Sequence, residues 1–238
     1  MSLQVEPARL APRGLGSDTA TLTVTVRRCG GEPARGETVH FRLEREEGSG
    51  GHRHPAPQAS QHAGALGTLD PATCVTDDNG RCRVTYTAPE AAGTIRITAE
   101  VDGARSDPQT VTVRLEGLVP LPAYPGLELI GETDTHPFNH YGTPRTVGAL
   151  FRVGEMWSLI YPNNRVGIND MSLEWGGLFD FRSTWAPPHQ LHRRGENVDV
   201  RIRDKPQKQR DDLGKIINDE GCRIRPESDP PHWHLTCR

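Results

Sequence analysis

Two domains are predicted for this chain: an all-β sandwich over residues 1–117 and a mixed α+β domain over 130–238, joined by a proline-rich linker at 118–129. Three observations carry this. Apolar and polar residues alternate along the first half, "LVPLPAYPG" (118–126) has three prolines and little periodicity, and helical spacing sets in beyond it. At 238 residues the chain has room for two hydrophobic cores.

In "TATLTVTV" Leu22, Val24 and Val26 share one face and threonines the other. The same alternation places Val39, Phe41 and Leu43 together in "ETVHFRL", and Cys82, Val84 and Tyr86 in "RCRVTYT". It recurs for Ile95, Ile97, Ala99 and Val101, and again for Val111, Val113 and Leu115. Period two with β-branched enrichment predicts half-buried strands. "DDNG" (77–80) between two such runs reads as a hairpin turn, because Asn79 and Gly80 tolerate positive φ. Many short strands separated by turn signals predict a β-sandwich.

The prolines of 118–126 read as a stiff linker. Beyond it, "TVGALFRVGEMWSLIY" puts Val147, Leu150, Phe151 and Trp157 near one helical face. "QKQRDDLGKIINDEG" spaces Leu213, Ile216 and Ile217 at i, i+3 and i+4 and stops at Gly221. Between these helices "NVDVRIR" alternates as a strand, with Val198, Val200 and Ile202 on one face. The second half is therefore mixed α+β, and at about 120 residues it can bury its own core.

Composition narrows the function. Residues 1–119 carry 13 basic and 15 acidic side chains and residues 120–238 carry 15 and 16, so neither half is a basic surface and nucleic acid is not an expected partner. No apolar run approaches the roughly 18 residues of a spanning helix, so no transmembrane segment is expected. No signal-peptide pattern is visible in this chain. Of five cysteines, Cys222 and Cys237 flank the final segment, Cys74 and Cys82 flank a turn, and Cys29 is left over. The count suits two disulfides in an oxidising compartment, with five reduced thiols in a cytosolic protein as the lesser alternative.

Six of the ten histidines follow residue 120, and four of them sit in two tight clusters. "HQLHRRGENVDV" holds His189, His192 and Asp199, and the terminal "HWH" holds His232 and His234. Residues i and i+2 of a strand point to one face. A strand over "HWHL" beside "NVDVRI" would therefore present both histidines together, and Asp199 would face away from Val198 and Val200. Imidazole and carboxylate donors of this kind suit zinc, three protein ligands leaving one position for water. Taken one at a time, each histidine reads more readily as a surface or satisfied core residue than as a ligand.

The motif itself resembles the zinc peptidase group that includes lysostaphin, the D-alanyl-D-alanine carboxypeptidases, the penicillin-insensitive murein endopeptidase and the hedgehog-type signalling domain. That group's pattern is His, six residues, Asp, then a distant His-x-His on neighbouring strands of an antiparallel sheet. "NDMSLEWGGLFDFRSTW" and "HPFNHYGT" also resemble bacterial proteins with this domain, so the likeness spans roughly 130–238. It implies a zinc peptidase-like fold in which His192, Asp199 and His234 ligate Zn2+. It further implies that His232 carries the catalytic proton and that His189 holds substrate or the developing oxyanion. Arg182, Trp175 and Asp180 are weaker substrate-binding candidates, together with Asp170, Glu174, His136, His140, Arg193 and Arg194, each with an ordinary structural reading beside it.

The first half resembles the bacterial immunoglobulin-like repeats of invasin-type surface proteins, through "TLTVTVRRCGGEPARGETVHFRL" and "TDDNGRCRVTYTAPEAAGTIRITAEV". This implies an immunoglobulin-like spacer or binding module with a surface, glycan or protein partner. The insertion at 47–67, with His52, His54 and His62, departs from that pattern and reads as a solvated loop. The expected function is a secreted, surface or periplasmic zinc metallopeptidase acting on peptidoglycan peptides, of D,D-carboxypeptidase or endopeptidase type. The alternatives are a non-catalytic surface binding or adhesion protein that holds zinc, and a zinc amidase or carboxypeptidase for another peptide.

Overall fold

The structure is a computed structural model whose description covers residues 1–55, 63–180, 182–185 and 191–237. It divides into two compact units. The first comprises Met1–Leu115 with Arg182–Ala186, and the second Glu116–Phe181 with Pro187–Arg238.

The first unit runs through β1 (Ser2–Glu6), β2 (Arg9–Leu10), β3 (Thr19–Thr25), β4 (Thr38–Arg45), a short helix α1 (Ala63–Leu66), β5 (Thr68–Asp70) and β6 (Cys74–Val75). It continues with β7 (Arg81–Thr87), β8 (Gly93–Val101), β9 (Ala104–Arg105) and β10 (Gln109–Val113). One sheet has the order β1-β3-β7-β5 and the other β2-β10-β8-β4-β6, with β9 against β8. The predicted alternation is what closes the sandwich. Leu22, Val84 and Tyr86 of the first sheet and Val39, Ile95, Ile97 and Val111 of the second belong to one buried cluster. Phe41 and Leu43 pack at its margin. The Tyr86 hydroxyl, wholly buried, donates to the Leu66 carbonyl at 2.8 Å, so the ring adds apolar area without stranding a polar group.

The turn at 77–80 differs from the hairpin expected. Asp77 Oδ1 accepts from the Asn79 and Arg81 amides at 2.8 Å each, and Gly80 takes φ 69° where a Cβ would meet the Val26 carbonyl oxygen at 2.4 Å. The strand before it, however, pairs with β4 and the strand after it with β3, so the turn carries the chain between sheets. The Cys74–Cys82 disulfide spans the same crossing. His52 and His54, expected in a solvated loop, are buried, and their rings lie 4.9 and 4.3 Å from that of Trp185. His62 lies outside the described residues.

The second unit contains β11 (Val119–Pro120), β12 (Leu127–Leu129), β13 (Tyr141–Gly142), α2 (Pro144–Ile160), β14 (Val166–Ile168) and β15 (Asn197–Arg201). It ends with α3 (Gln207–Asp219), β16 (Cys222–Ser228) and β17 (Pro231–Cys237). Residues 118–129 are thus part of this unit. Strand β11 pairs with β13 and β12 with β14, while Leu121 and Leu127 are buried in the unit's core. Pro120 ends β11, and Pro122 and Pro125 lie between the two strands, so no ladder hydrogen bond in a strand interior is lost.

The main sheet has the order β12-β14-β15-β17-β16, antiparallel except for its first pair. Thr143 caps α2, its hydroxyl oxygen accepting from the Thr146 amide at 3.1 Å, and Pro144 stands in the first turn where no N–H is needed. Val147, Leu150 and Trp157 of α2 and Leu213 and Ile217 of α3 share one core with Val166, Ile168, Val198, Val200 and Leu235. Both helices therefore cover the sheet face that Val198 and Val200 define. Asp199 faces the other way. Among the described residues, no helix is long and apolar enough to cross a membrane.

Cys222 and Cys237 are directly opposite in the β16–β17 register and disulfide-bonded across 15 residues, and Cys29 is exposed and free. Closing a loop of that length is worth about 3 kcal/mol in the chain-entropy account. The double variant Cys222→Ser/Cys237→Ser is expected to lose about that much stability in denaturant titration. A loss under about 1 kcal/mol would mean that the strand pairing holds the tail without the bond.

Candidate metal centre

The site is built on the helix-free face of β15 and β17. Their register sets Asp199 opposite His234, Asn197 opposite Thr236 and Arg201 opposite His232. Strand β16 adds Arg225 beside His234 and Glu227 beside His232. Period two puts all these side chains on one face while Leu235 goes to the core. His192 arrives from a 3-10 turn (Leu191–Arg194) that ends at Gly195. Gly195 has φ 71°, and a Cβ there would meet Leu118 Cδ2 at 2.5 Å and Gly142 Cα at 3.0 Å. Only glycine lets the chain turn this sharply into β15 and bring His192 over Asp199.

His192, Asp199 and His234 each offer one ligand atom, and these atoms lie within 4.8 Å of one another. All three residues are buried. His234 Nδ1 is 2.8 Å from Asp199 Oδ1 and His192 Nε2 is 3.3 Å from Asp199 Oδ2, while the two rings meet edge-on at 5.1 Å. Burial pushes the Asp199 carboxyl up, but hydrogen bonds and charge from His192 and His234 outweigh it and hold Asp199 well below the usual carboxylate range. It is therefore an anion at neutral pH, as a metal ligand must be.

This donor set fits zinc. Two ligands each about 2.1 Å from a tetrahedral zinc lie about 3.4 Å apart, close to the separation of His192 Nε2 and Asp199 Oδ2. Two imidazoles and one carboxylate also leave a fourth position for water.

His232 stands beside the set. Its Nδ1 is 2.7 Å from the Pro230 carbonyl oxygen, which can only accept, so Nδ1 carries the hydrogen. Its Nε2 lies 3.6 Å from Asp199 Oδ2 and 3.3 Å from Glu227 Oε2. The ring is mostly buried, its side chain 12% exposed against 2% for His192, so solvent reaches it more readily than His192.

The remaining candidates fall elsewhere. His189 lies outside the described residues. Arg182 is exposed and belongs to the segment grouped with the first unit. Trp175 and Glu174 are half-buried. Asp180 is completely buried and 3.2 Å from His136 Nε2, so this carboxylate is engaged inside the fold instead of lining an open cleft edge. His140 is structural, its Nε2 lying 3.1 and 3.0 Å from the Ile130 and Ile168 carbonyl oxygens. Asp170 takes the Asn139 amide at 2.8 Å, and its own carbonyl accepts from the Asp199 backbone, steadying that strand. Arg193 is half-buried and Arg194 exposed.

Two neighbours were missed by sequence reasoning: Asn197 and Glu227. Asn197 is two residues before Asp199, and period two alone would have found it. Glu227 needed "CRIRPESDPPHWHLTC" to be read as a hairpin turning at the prolines.

No protein-family model matches this chain, and no curated protein matches it. Solved structures similar to it include the D0-D1 domain of Intimin, at 20% identity over 47% of this chain and 47% of that one, with a TM-score of 0.33. The Yersinia pseudotuberculosis adhesin InvE is similar at 22% identity over 58% of this chain and 36% of its own, with a TM-score of 0.35. Yersinia pseudotuberculosis InvD is similar at 20% identity over 56% of this chain and 33% of its own, also with a TM-score of 0.35. The chain spans less than half the length of each.

Proposed function

We propose that the second unit is a zinc-dependent peptidase acting on peptide bonds of bacterial peptidoglycan, of D,D-carboxypeptidase or endopeptidase type, positioned by the β-sandwich. The observation that supports it is the buried His192, Asp199 and His234 set with His232 held alongside by Pro230. Zinc bound there would polarise a scissile carbonyl and bring its water's pKa toward about 7. With Nδ1 committed to Pro230, His232 offers Nε2 to take the proton of the attacking water and return it to the leaving amine. His192 and His234 shield Asp199 from solvent and keep it ionised. Two disulfides suit an oxidising, extracytoplasmic setting.

A second reading, a surface binding or adhesion protein whose zinc is structural, has one observation in its favour. Glu227 Oε2 lies 3.3 Å from His232 Nε2, and a carboxylate engages that nitrogen only when it carries a hydrogen, the form that cannot act as a base. The sandwich of the first unit, which resembles invasin-type repeats in sequence, suits that reading as well. Zinc analysis of the full chain, followed by incubation with muropeptides and detection of new amine termini, separates the two. Zinc with cleavage supports the peptidase, zinc without cleavage the binding protein. A chain that takes up no zinc overturns both.

A further inference from the structure

Asn197 is buried on the site face, two residues before Asp199. Its Nδ2 lies 3.0 Å from His234 Nε2, 3.0 Å from Thr236 Oγ1 and 3.3 Å from the Leu235 carbonyl oxygen. Both nitrogens of His234 are thereby engaged, Nδ1 with Asp199 at 2.8 Å and Nε2 with this amide. In the arrangement seen, Asp199 can only accept, so the ring hydrogen sits on Nδ1 and Nε2 accepts from the amide. The two Nδ2 hydrogens are shared among these acceptors, one of them going to Nε2.

Zinc changes the requirement. Of the two ring nitrogens, Nδ1 is the one that converges with Asp199 and His192, so a metal would take the Nδ1 lone pair. The ring hydrogen must then move to Nε2, which becomes a donor in a buried place. A fixed donor facing it would leave two N–H groups opposed, at the cost of an unsatisfied buried polar group. A carboxamide avoids this. Half a turn about its Cβ–Cγ bond replaces Nδ2 by Oδ1, and the Thr236 hydroxyl can accept from one end or donate to the other, while the Leu235 carbonyl gives up its 3.3 Å contact with Nδ2.

We infer that Asn197 is a positioning residue for His234, an amide that serves the metal-free ring as donor and the zinc-bound ring as acceptor. This rests on the reading of His192, Asp199 and His234 as a zinc site. Metal-bound histidines commonly depend on such a partner for their other nitrogen, and its loss weakens metal affinity by about 10–100-fold.

The test measures zinc affinity of the full chain by competition with a chromophoric chelator, in the wild type, Asn197→Ala and Asn197→Asp. The alanine variant is expected to bind about 10–100-fold more weakly. Asn197→Asp keeps an acceptor for the Nε2 hydrogen and is expected to match or exceed the wild type. A merely structural Asn197 would not be rescued this way, since Asp cannot donate to the Leu235 carbonyl. Imidazole 15N NMR gives a readout independent of activity, the His234 hydrogen moving from Nδ1 to Nε2 on loading. The inference is overturned if Asn197→Ala binds zinc like the wild type, if Asn197→Asp is as weak as a folded alanine variant, or if the loaded wild type keeps the hydrogen on Nδ1. Should the alanine variant not fold, the aspartate variant and the NMR shift decide alone. A wild type that takes up no zinc fails differently, removing the site itself.

Discussion

His234→Ala is expected to hold one equivalent of zinc fewer than the wild type, and His192→Ala the same. Each residue is one of three converging donors, and each also touches the third, Asp199. Removing His234 leaves two ligands and takes the 2.8 Å contact from Asp199 Oδ1. The loss should exceed the about 10–100-fold that removal of a supporting partner costs. Elemental analysis after dialysis reads the change directly, with exposed His40 replaced by alanine as the control that should keep its zinc. If His234→Ala retained the wild-type zinc content, His192, Asp199 and His234 would not be its site. Circular dichroism on the metal-free proteins separates this outcome from simple unfolding.

The site was legible in the sequence to the extent that strand periodicity reaches. His232 and His234 share a face because i and i+2 always do, and Asp199 joins them because it is out of phase with Val198 and Val200. Alternation likewise located the strands of the sandwich, since Leu22, Val84, Ile95 and Ile97 have no other place to put apolar area. What escaped depends on pairing between segments distant in the chain. The 77–80 turn has local hairpin chemistry, yet β6 and β7 find partners in different sheets. Residues 118–129 read as a linker because prolines dominate them, while their two short strands are set by β13 and β14, which lie further along. His52 and His54 look solvated beside glycines and prolines, and nothing local announces that Trp185, some 130 residues on, packs against them. Glu227 is the exception: it lies five residues before His232, and only the hairpin at the prolines had to be recognised to set the two opposite each other.

That pairing matters most for the last expected result. His232→Ala should keep its zinc and lose about 10²–10⁴-fold in the rate of peptide cleavage, the usual worth of a positioned acid–base group. The two effects separate because His232 lies 3.6 Å from Asp199 Oδ2 and outside the converging triad, while Pro230 fixes which nitrogen faces the site. Glu227 makes the measurement sharper. Its carboxylate, 3.3 Å from Nε2, can only accept, so it engages that nitrogen when the nitrogen carries a hydrogen and cannot act as a base, and its partner Arg225 can draw it aside. Glu227→Ala removes that contact without touching the three converging donors, and in a peptidase it should move cleavage by far less than His232→Ala does. Zinc content and initial rate, measured on the same preparations, read both variants. If the wild type cleaves muropeptides and His232→Ala cleaves them equally fast, His232 is not the proton carrier, and the base must be sought among the other side chains on the β15–β17 face.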